Sequence, residues 1–101
     1  MSWETVTVVR IYLTEADKVL PSLLECLHDE AKVRGVSVFR AISGFGSSGA
    51  VHSSSLLDLS LNLPVAVEFF DRTEKVNTIL ERLADKLEAG HMIRWQAEAN
   101  L

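Results

Sequence analysis

Apolar residues along the chain fall into strand-like runs and helix-like stripes, and the same order occurs twice. Residues 5–13 are rich in β-branched and aromatic side chains, which is typical of a strand. Gly35 would stop the helix that follows, and residues 36–42 predict a second strand. The apolar stripe of that helix has the spacing of a single buried face and comprises Leu20, Leu23, Leu24, Leu27 and Ala31.

The second half of the chain repeats this plan. Residues 65–70 predict a strand, and Asp71 with Glu74 has the spacing of a capping box that opens a helix. After Gly90, residues 92–97 predict the last strand. The stripe of the second helix is Val76, Ile79, Leu80, Leu83 and Leu87.

The order of elements predicts an α+β, ferredoxin-like βαββαβ fold. In this fold a four-stranded antiparallel sheet carries two helices on one face. Each predicted helix has one apolar face, so both helices can cover the same side of the sheet. We expect residues 1–101 to form a single domain of this type.

The other face of the predicted sheet mixes apolar and charged residues. Such a face is typical of an oligomer interface, in which Arg10 and Glu68 would pair; a solvated face with scattered apolar residues is the alternative. Trp3 and Trp95 are expected to pack in the core. Strict alternation assigns to the mixed face Val8, Arg10, Tyr12, Ala66, Glu68, Phe70, Met92, Arg94 and Gln96.

The connection between the second and third strands, about residues 43–64, is the place to look for function; we call it the arm. It is several times longer than the links common in compact domains. Residues 44–49 match the G-x-G-x-x-G motif of dinucleotide sites. That motif requires a helix that begins at the glycines, but residues 50–55 are poor helix formers, so we do not interpret the segment as a dinucleotide site. We interpret this segment as a Gly/Ser turn whose backbone N–H groups can bind an anion. A flexible hinge that binds nothing is the alternative.

Composition excludes several classes of function. Ten Lys and Arg against fourteen Asp and Glu give a net charge of −4, which argues against a nucleic-acid partner. A single cysteine excludes an internal disulfide and a cysteine zinc site. No apolar run reaches the ~18 residues of a membrane span, and the N-terminus lacks the pattern of a signal peptide. We therefore expect a cytoplasmic protein.

Few residues carry candidate chemistry. Arg40 and Arg94 interrupt apolar strands and suit the capture of carboxylate or phosphate; ion pairs with Glu68 or Glu98 are the alternative. No G-x-S-x-G nucleophile is present, and nothing selects acid–base catalysis, so we expect a protein that is not an enzyme.

Three segments carry a family resemblance: Phe39–Gly46 (FRAISGFG), His52–Ser53 and Leu63–Glu68 (LPVAVE). They resemble the uncharacterised PII-like proteins, a domain-of-unknown-function family related to the nitrogen-regulatory PII (GlnB) proteins. The resemblance implies a homotrimer with the sheets facing inward. It also implies that the arm docks on a target protein and that its base helps to bind ATP or ADP between subunits.

The chain departs from the PII pattern at two places. The link before the last strand, residues 88–91, lacks the Gly/Lys-rich loop that wraps phosphates in PII proteins. The arm contains no tyrosine, because the one tyrosine is Tyr12, so tyrosine nucleotidylation of the arm is excluded.

These observations predict a non-enzymatic, PII-like regulatory protein. It would bind a small anion in inter-subunit clefts, with ATP, ADP and AMP among the candidates, and dock a partner through the arm. A membrane transporter is one candidate partner, because some family members are similar in gene context to fluoride-export systems. The alternatives are a trimer that binds a divalent metal through His52 and His91, and a docking module without a ligand. The predicted ligand-binding residues are Arg40, Gly44, Phe45, Gly46, Ser47, Ser48, His52 and Arg94.

Overall fold

The fold is that of the predicted α+β class. The computed structural model describes residues 2–45, 51–53 and 63–101. None of the helices in these ranges is long and apolar enough to cross a membrane. In chain order the elements are β1 (Trp3–Thr14), α1 (Val19–Glu25) with a π-helical turn (Cys26–Glu30), β2 (Val36–Arg40), β3 (Ser43–Phe45), β4 (Val51–Ser53), β5 (Pro64–Arg72), α2 (Thr73–Leu83) and β6 (Met92–Asn100).

Four strands form an antiparallel sheet in the order β2-β5-β1-β6, so β1 and β5 are central. This order confirms the ferredoxin-like prediction. Strands β3 and β4 pair with each other in a separate two-stranded ribbon. This ribbon was not predicted, because its three-residue strands are too short to show a period in the sequence.

The core lies between the sheet and the two helices. One face of β1 and one face of β5 supply its strand side chains, and both predicted helical stripes together with Cys26 supply the helical ones. Each large side chain buried in this way contributes about 1.5–3 kcal/mol. The fully buried members include Ile11, Leu23, Leu27, Val67, Phe69, Val76 and Leu83.

The residues of β6 that face the helices are those that were predicted to face away from them. Val8 pairs with Trp95 and Arg10 pairs with Ile93, and directly opposed residues share a face. Met92, Arg94 and Gln96 therefore lie on the helix-covered face, and their assignment to the other face was wrong. The prediction had placed the apolar side of β6 toward the helices. In the structure, the apolar Ile93 and Trp95 face away from them.

The sheet face away from the helices, which we call the open face, is rich in large apolar side chains. Trp95 and Trp3 are both exposed, so the expectation that they pack in the core was wrong. The predicted pair of Arg10 and Glu68 does form on this face. The strand registers place on the open face Val8, Arg10, Tyr12, Phe39, Ala66, Glu68, Phe70, Ile93 and Trp95.

The end of the first helix and the start of the second helix both differ from the prediction. The first helix ends at Glu30 instead of continuing to Gly35, and the left-handed residue after it is Lys32, with φ of 51°. The predicted capping box at α2 is wrong, because the residue before the helix is Arg72 and makes no side-chain cap. The Asp71 carboxylate instead accepts a hydrogen bond of 2.8 Å from the Arg72 N–H.

Lys32 provides a test of this helix ending. Its left-handed backbone costs an L-residue ~1–2 kcal/mol, which a glycine avoids at a smaller entropic cost. We expect Lys32→Gly to raise the free energy of unfolding by roughly 0.5–1 kcal/mol relative to Lys32→Ala in urea denaturation. A glycine variant that is less stable than the alanine variant would contradict this assignment.

Candidate functional site

The two ends of the arm are joined where β2 leaves the sheet and β5 enters it. The Ala41 N–H donates to the Pro64 carbonyl at 2.8 Å, and the Glu15 N–H donates to the Leu63 carbonyl at 2.9 Å. Leu63 is buried and anchors this end of the arm. We call Glu15, Arg40, Ala41, Leu63 and Pro64 the arm base.

A two-pronged ion pair joins Glu15 and Arg40 at the arm base. Arg40 Nε lies 2.6 Å from Glu15 Oε1, and Arg40 Nη2 donates to Oε2 at 3.3 Å. The same Oε2 accepts a longer bond of 3.4 Å from the Leu63 N–H. The Glu15 side chain is 25% exposed and that of Arg40 is 52% exposed, so solvent reaches the arginine. One carboxylate thus joins β1, β2 and the far end of the arm.

Sequence reasoning missed Glu15. The alternative considered for Arg40 was an ion pair with Glu68 or Glu98, and that assignment was wrong. Glu15 lies 25 residues before Arg40, in a segment that was interpreted as a polar connection. Only the antiparallel arrangement of the sheet brings the end of β1 beside the end of β2.

The structure places part of the predicted anion-binding turn next to the arm base. In the ribbon, Gly44 pairs with His52 and Phe45 pairs with Val51. A Cβ atom at Gly44 would lie 3.4 Å from Pro64 Cγ, so the turn packs closely on the start of β5. The predicted residues Gly46, Ser47 and Ser48 lie outside the described residues.

Arg94 is not brought to the arm base within one chain. Arg94 lies on β6, where it pairs with Val9 of β1, whereas Arg40 lies on β2, where it pairs with Val65 of β5. These strands are opposite edges of the sheet, about 14 Å apart at roughly 4.8 Å per strand. Arg94 donates to Asn77 Oδ1 at 3.0 Å, so its predicted alternative partners, Glu68 and Glu98, were also wrong.

His91 lies at the same end of the sheet as the arm base. Its Nδ1 is 2.9 Å from the Tyr12 carbonyl oxygen, which assigns the proton to Nδ1 and leaves Nε2 for other partners. His91 also lines a cleft of about 220 Å³ together with Asp17, Lys86 and Glu88. Lys86 is a cation that sequence reasoning did not consider.

The metal alternative gains no support from the described part of the chain. Residues 2–45, 51–53 and 63–101 contain no group of three or more His, Cys, Asp or Glu that could hold a metal ion. The structure does not test a site that includes the His52 side chain, so the pairing of His52 with His91 stays a hypothesis.

Ion pairs and burial account for the shifted pKa values. The hydrogen bond from Arg72 lowers the pKa of Glu4, and the bond to Glu4 raises the pKa of Arg72. The bond to Glu68 raises the pKa of Arg10, whose guanidinium lies 5.4 Å from the Trp95 ring centre. Burial raises the pKa of the Cys26 thiol, so this residue offers little thiolate at neutral pH.

Sequence comparison finds relatives over most of the chain. Residues 6–99 match the DUF190 family, described as "Uncharacterized ACR, COG1993". The UPF0166 protein MJ1524 of Methanocaldococcus jannaschii is 31% identical over 91 residues, which are 85% of this chain and 82% of that protein. A UPF0166 protein of Aquifex aeolicus is 39% identical over 57 residues, which are 56% of this chain and 54% of that protein. The chain thus spans about half the length of the Aquifex relative.

Structure comparison finds PII-like proteins. CPII of Thiomonas intermedia K12, a nitrogen regulatory PII-like protein solved with ADP, AMP and bicarbonate, superposes with a TM-score of 0.68 at 21% identity, over 97% of this chain and 89% of that one. The PII-like signaling protein TTHA0516 of Thermus thermophilus gives a TM-score of 0.66 at 17% identity, over 98% of this chain and 91% of that one. These likenesses confirm the PII-like fold that the sequence resemblance implied.

The hydrogen bond from Leu63 to Glu15 can be tested directly. We expect Glu15→Ala to speed amide hydrogen exchange at Leu63 by roughly fivefold, since it removes a half-buried charged acceptor worth ~1 kcal/mol. Glu4→Ala is the matched control, because Glu4 forms a similar two-pronged pair with Arg72 far from the arm. Unchanged exchange at Leu63 in the Glu15 variant would show that this bond does not hold the arm base.

Proposed function

Because the chain belongs to the DUF190 family, we propose that it is a PII-like regulatory protein that senses a small anion at the arm base. The observation that carries this proposal is the Arg40 guanidinium. It is solvent-accessible, lies at the junction of the sheet and the arm, and already holds a carboxylate in two-pronged geometry. Arginine in this geometry can bind the oxygens of a carboxylate, a bicarbonate or a phosphate.

Ligand binding at Arg40 would act on the arm through Glu15. An incoming anion competes with the Glu15 carboxylate for the same guanidinium. When Glu15 is displaced, its bond to the Leu63 N–H is also lost, and the arm end is held by fewer contacts. The ligand shifts the arm between two arrangements only because it binds one of them more tightly. Glu15 therefore converts occupancy of Arg40 into a change at the arm.

We propose an adenine nucleotide or bicarbonate as the ligand. The solved structure of the Thiomonas protein with ADP, AMP and bicarbonate supports this choice. Lys86 lines a cleft at the same end of the sheet and would supply a cation for phosphate. It would partly replace the Gly/Lys-rich loop that residues 88–91 lack.

The proposed active form is a homotrimer that buries the open face. Phe70, Ile93 and Trp95 are large apolar residues exposed on that face, which is the kind of patch that marks an interface. The Arg10 and Glu68 pair would lie within it. Trimer formation would bring the arm base of one protomer close to the edge of another, which creates the inter-subunit cleft.

The remaining parts of the proposal concern action in the cell. The protein would be a cytoplasmic non-enzyme, with residues 1–101 as one PII-like domain and the arm as the segment that docks on a partner protein. A membrane transporter is the proposed class of partner. The support for these points is the family resemblance together with the position of the Arg40 and Glu15 ion pair at the arm base.

Loss of the Arg40 guanidinium tests the ligand site. We expect Arg40→Gln to weaken binding of ADP, AMP or bicarbonate by roughly tenfold or more in isothermal titration calorimetry, because it removes a charge-assisted pair of hydrogen bonds. Arg72→Gln is the matched control, since Arg72 forms a comparable pair with Glu4 at the other end of the sheet. Equal affinities in the two variants would refute the role of Arg40.

A charge on the open face tests the assembly. We expect Phe70→Glu to convert a trimer into monomers in native mass spectrometry, because an unpaired carboxylate inside an apolar interface costs several kcal/mol. Val38→Glu is the control, because Val38 is an exposed apolar residue on the opposite face. A Phe70 variant that remains trimeric would place the interface elsewhere.

A further inference from the structure

A second polar cleft lies on the helix-covered face, far from the arm base. It sits between β1, α2 and β6 near the start of β1, and Thr7 is about 20 Å from Leu13 along that strand. The cleft has a volume of about 230 Å³ and is lined by Thr7, Thr73, Asn77, Arg94, Trp95 and Gln96. None of these lining residues is acidic.

Arg94 is the charged group of this cleft. Four other arginines lie within 4.0 Å of a carboxylate: Arg10, Arg34, Arg40 and Arg72. Arg94 instead donates to the neutral Oδ1 of Asn77 at 3.0 Å, and it forms no ion pair among residues 2–45, 51–53 and 63–101. In the part of the chain that the structure describes, the guanidinium of this cleft therefore has no ion-pair partner; Arg82 has none either, but it does not line the cleft.

The other polar groups of the cleft are placed to donate hydrogen bonds. The hydroxyls of Thr7 and Thr73 are 2.9 Å apart, and Thr7 is only 3% exposed. One hydroxyl donates to the other, which leaves the second hydroxyl proton for another acceptor. The Asn77 oxygen already accepts from Arg94, so the amide NH₂ is the group of Asn77 that remains. Gln96 adds another amide.

We propose that this cleft binds a phosphate group. A planar carboxylate has two oxygens, which a single guanidinium fork can satisfy. The donors here come from three separate elements, β1, α2 and β6, which suits a tetrahedral anion whose oxygens point in more than two directions. The site is distinct from the arm base and does not depend on the function proposed for it.

Phosphate titration followed by two-dimensional amide NMR tests the site. The probes are inorganic phosphate and phosphoserine, and their relative affinities tell whether a free phosphate or a phosphorylated metabolite is preferred. In the wild-type protein we expect saturable shifts at Thr7, Thr73 and Gln96 and at the Asn77 side-chain amide. Arg94→Gln should weaken this binding by roughly tenfold or more, while Arg82→Gln, an exposed arginine elsewhere on α2, should leave it unchanged.

Two further variants make the outcome decisive. Asn77→Asp places a negative charge in the cleft with almost no change of shape, and we expect it to abolish the phosphate shifts. Arg40→Gln should retain them, because the two sites are separate. The proposal is overturned if phosphate causes no saturable shift at the cleft, or if the Arg94 and Arg82 variants bind it equally. Thermal melting of each variant confirms that a loss of binding does not reflect unfolding.

Discussion

The alternation of side chains along β1 governs the rest of the molecule, because β1 is hydrogen-bonded to β5 on one side and to β6 on the other. Its register directs Val9, Ile11 and Leu13 into the core beneath the helices. The same register directs Arg10 onto the open face, beside Glu68. A shift of one residue would exchange the two faces, which would bury the arginine and expose the core.

The position of β1 also explains why the Glu15 and Arg40 ion pair lies at the arm base. Glu15 follows directly after β1 and so lies where β2 ends and β5 begins. A carboxylate at this position can contact the sheet, Arg40 and the returning end of the arm together. The geometry therefore links the Arg40 guanidinium to the end of the arm through one side chain, and the proposed ligand would act on the arm through this link.

Sequence periodicity predicted the elements that bury a regular apolar face. Both helical stripes and the central strands were identified in this way, because burial imposes a period on their residues. Periodicity failed at β6, where the apolar Ile93 and Trp95 face away from the helices and the polar Arg94 and Gln96 face toward them. The reversal leaves Ile93 and Trp95 exposed on the open face, in the apolar patch that the proposed trimer would bury. The pairing of Glu15 with Arg40 could not be predicted, because it joins residues far apart in the sequence and leaves no local pattern.

The coupling of anion binding to the arm can be observed most directly in the Glu15 side chain. The ¹³C resonance of the Glu15 carboxylate should be followed in the wild-type protein as ADP or bicarbonate is added. If the ligand displaces Glu15 from Arg40, the resonance will move toward its position in unliganded Arg40→Gln. Saturable binding that leaves this resonance unchanged would contradict the account, because the ligand would then bind without disturbing the pair that holds the arm base.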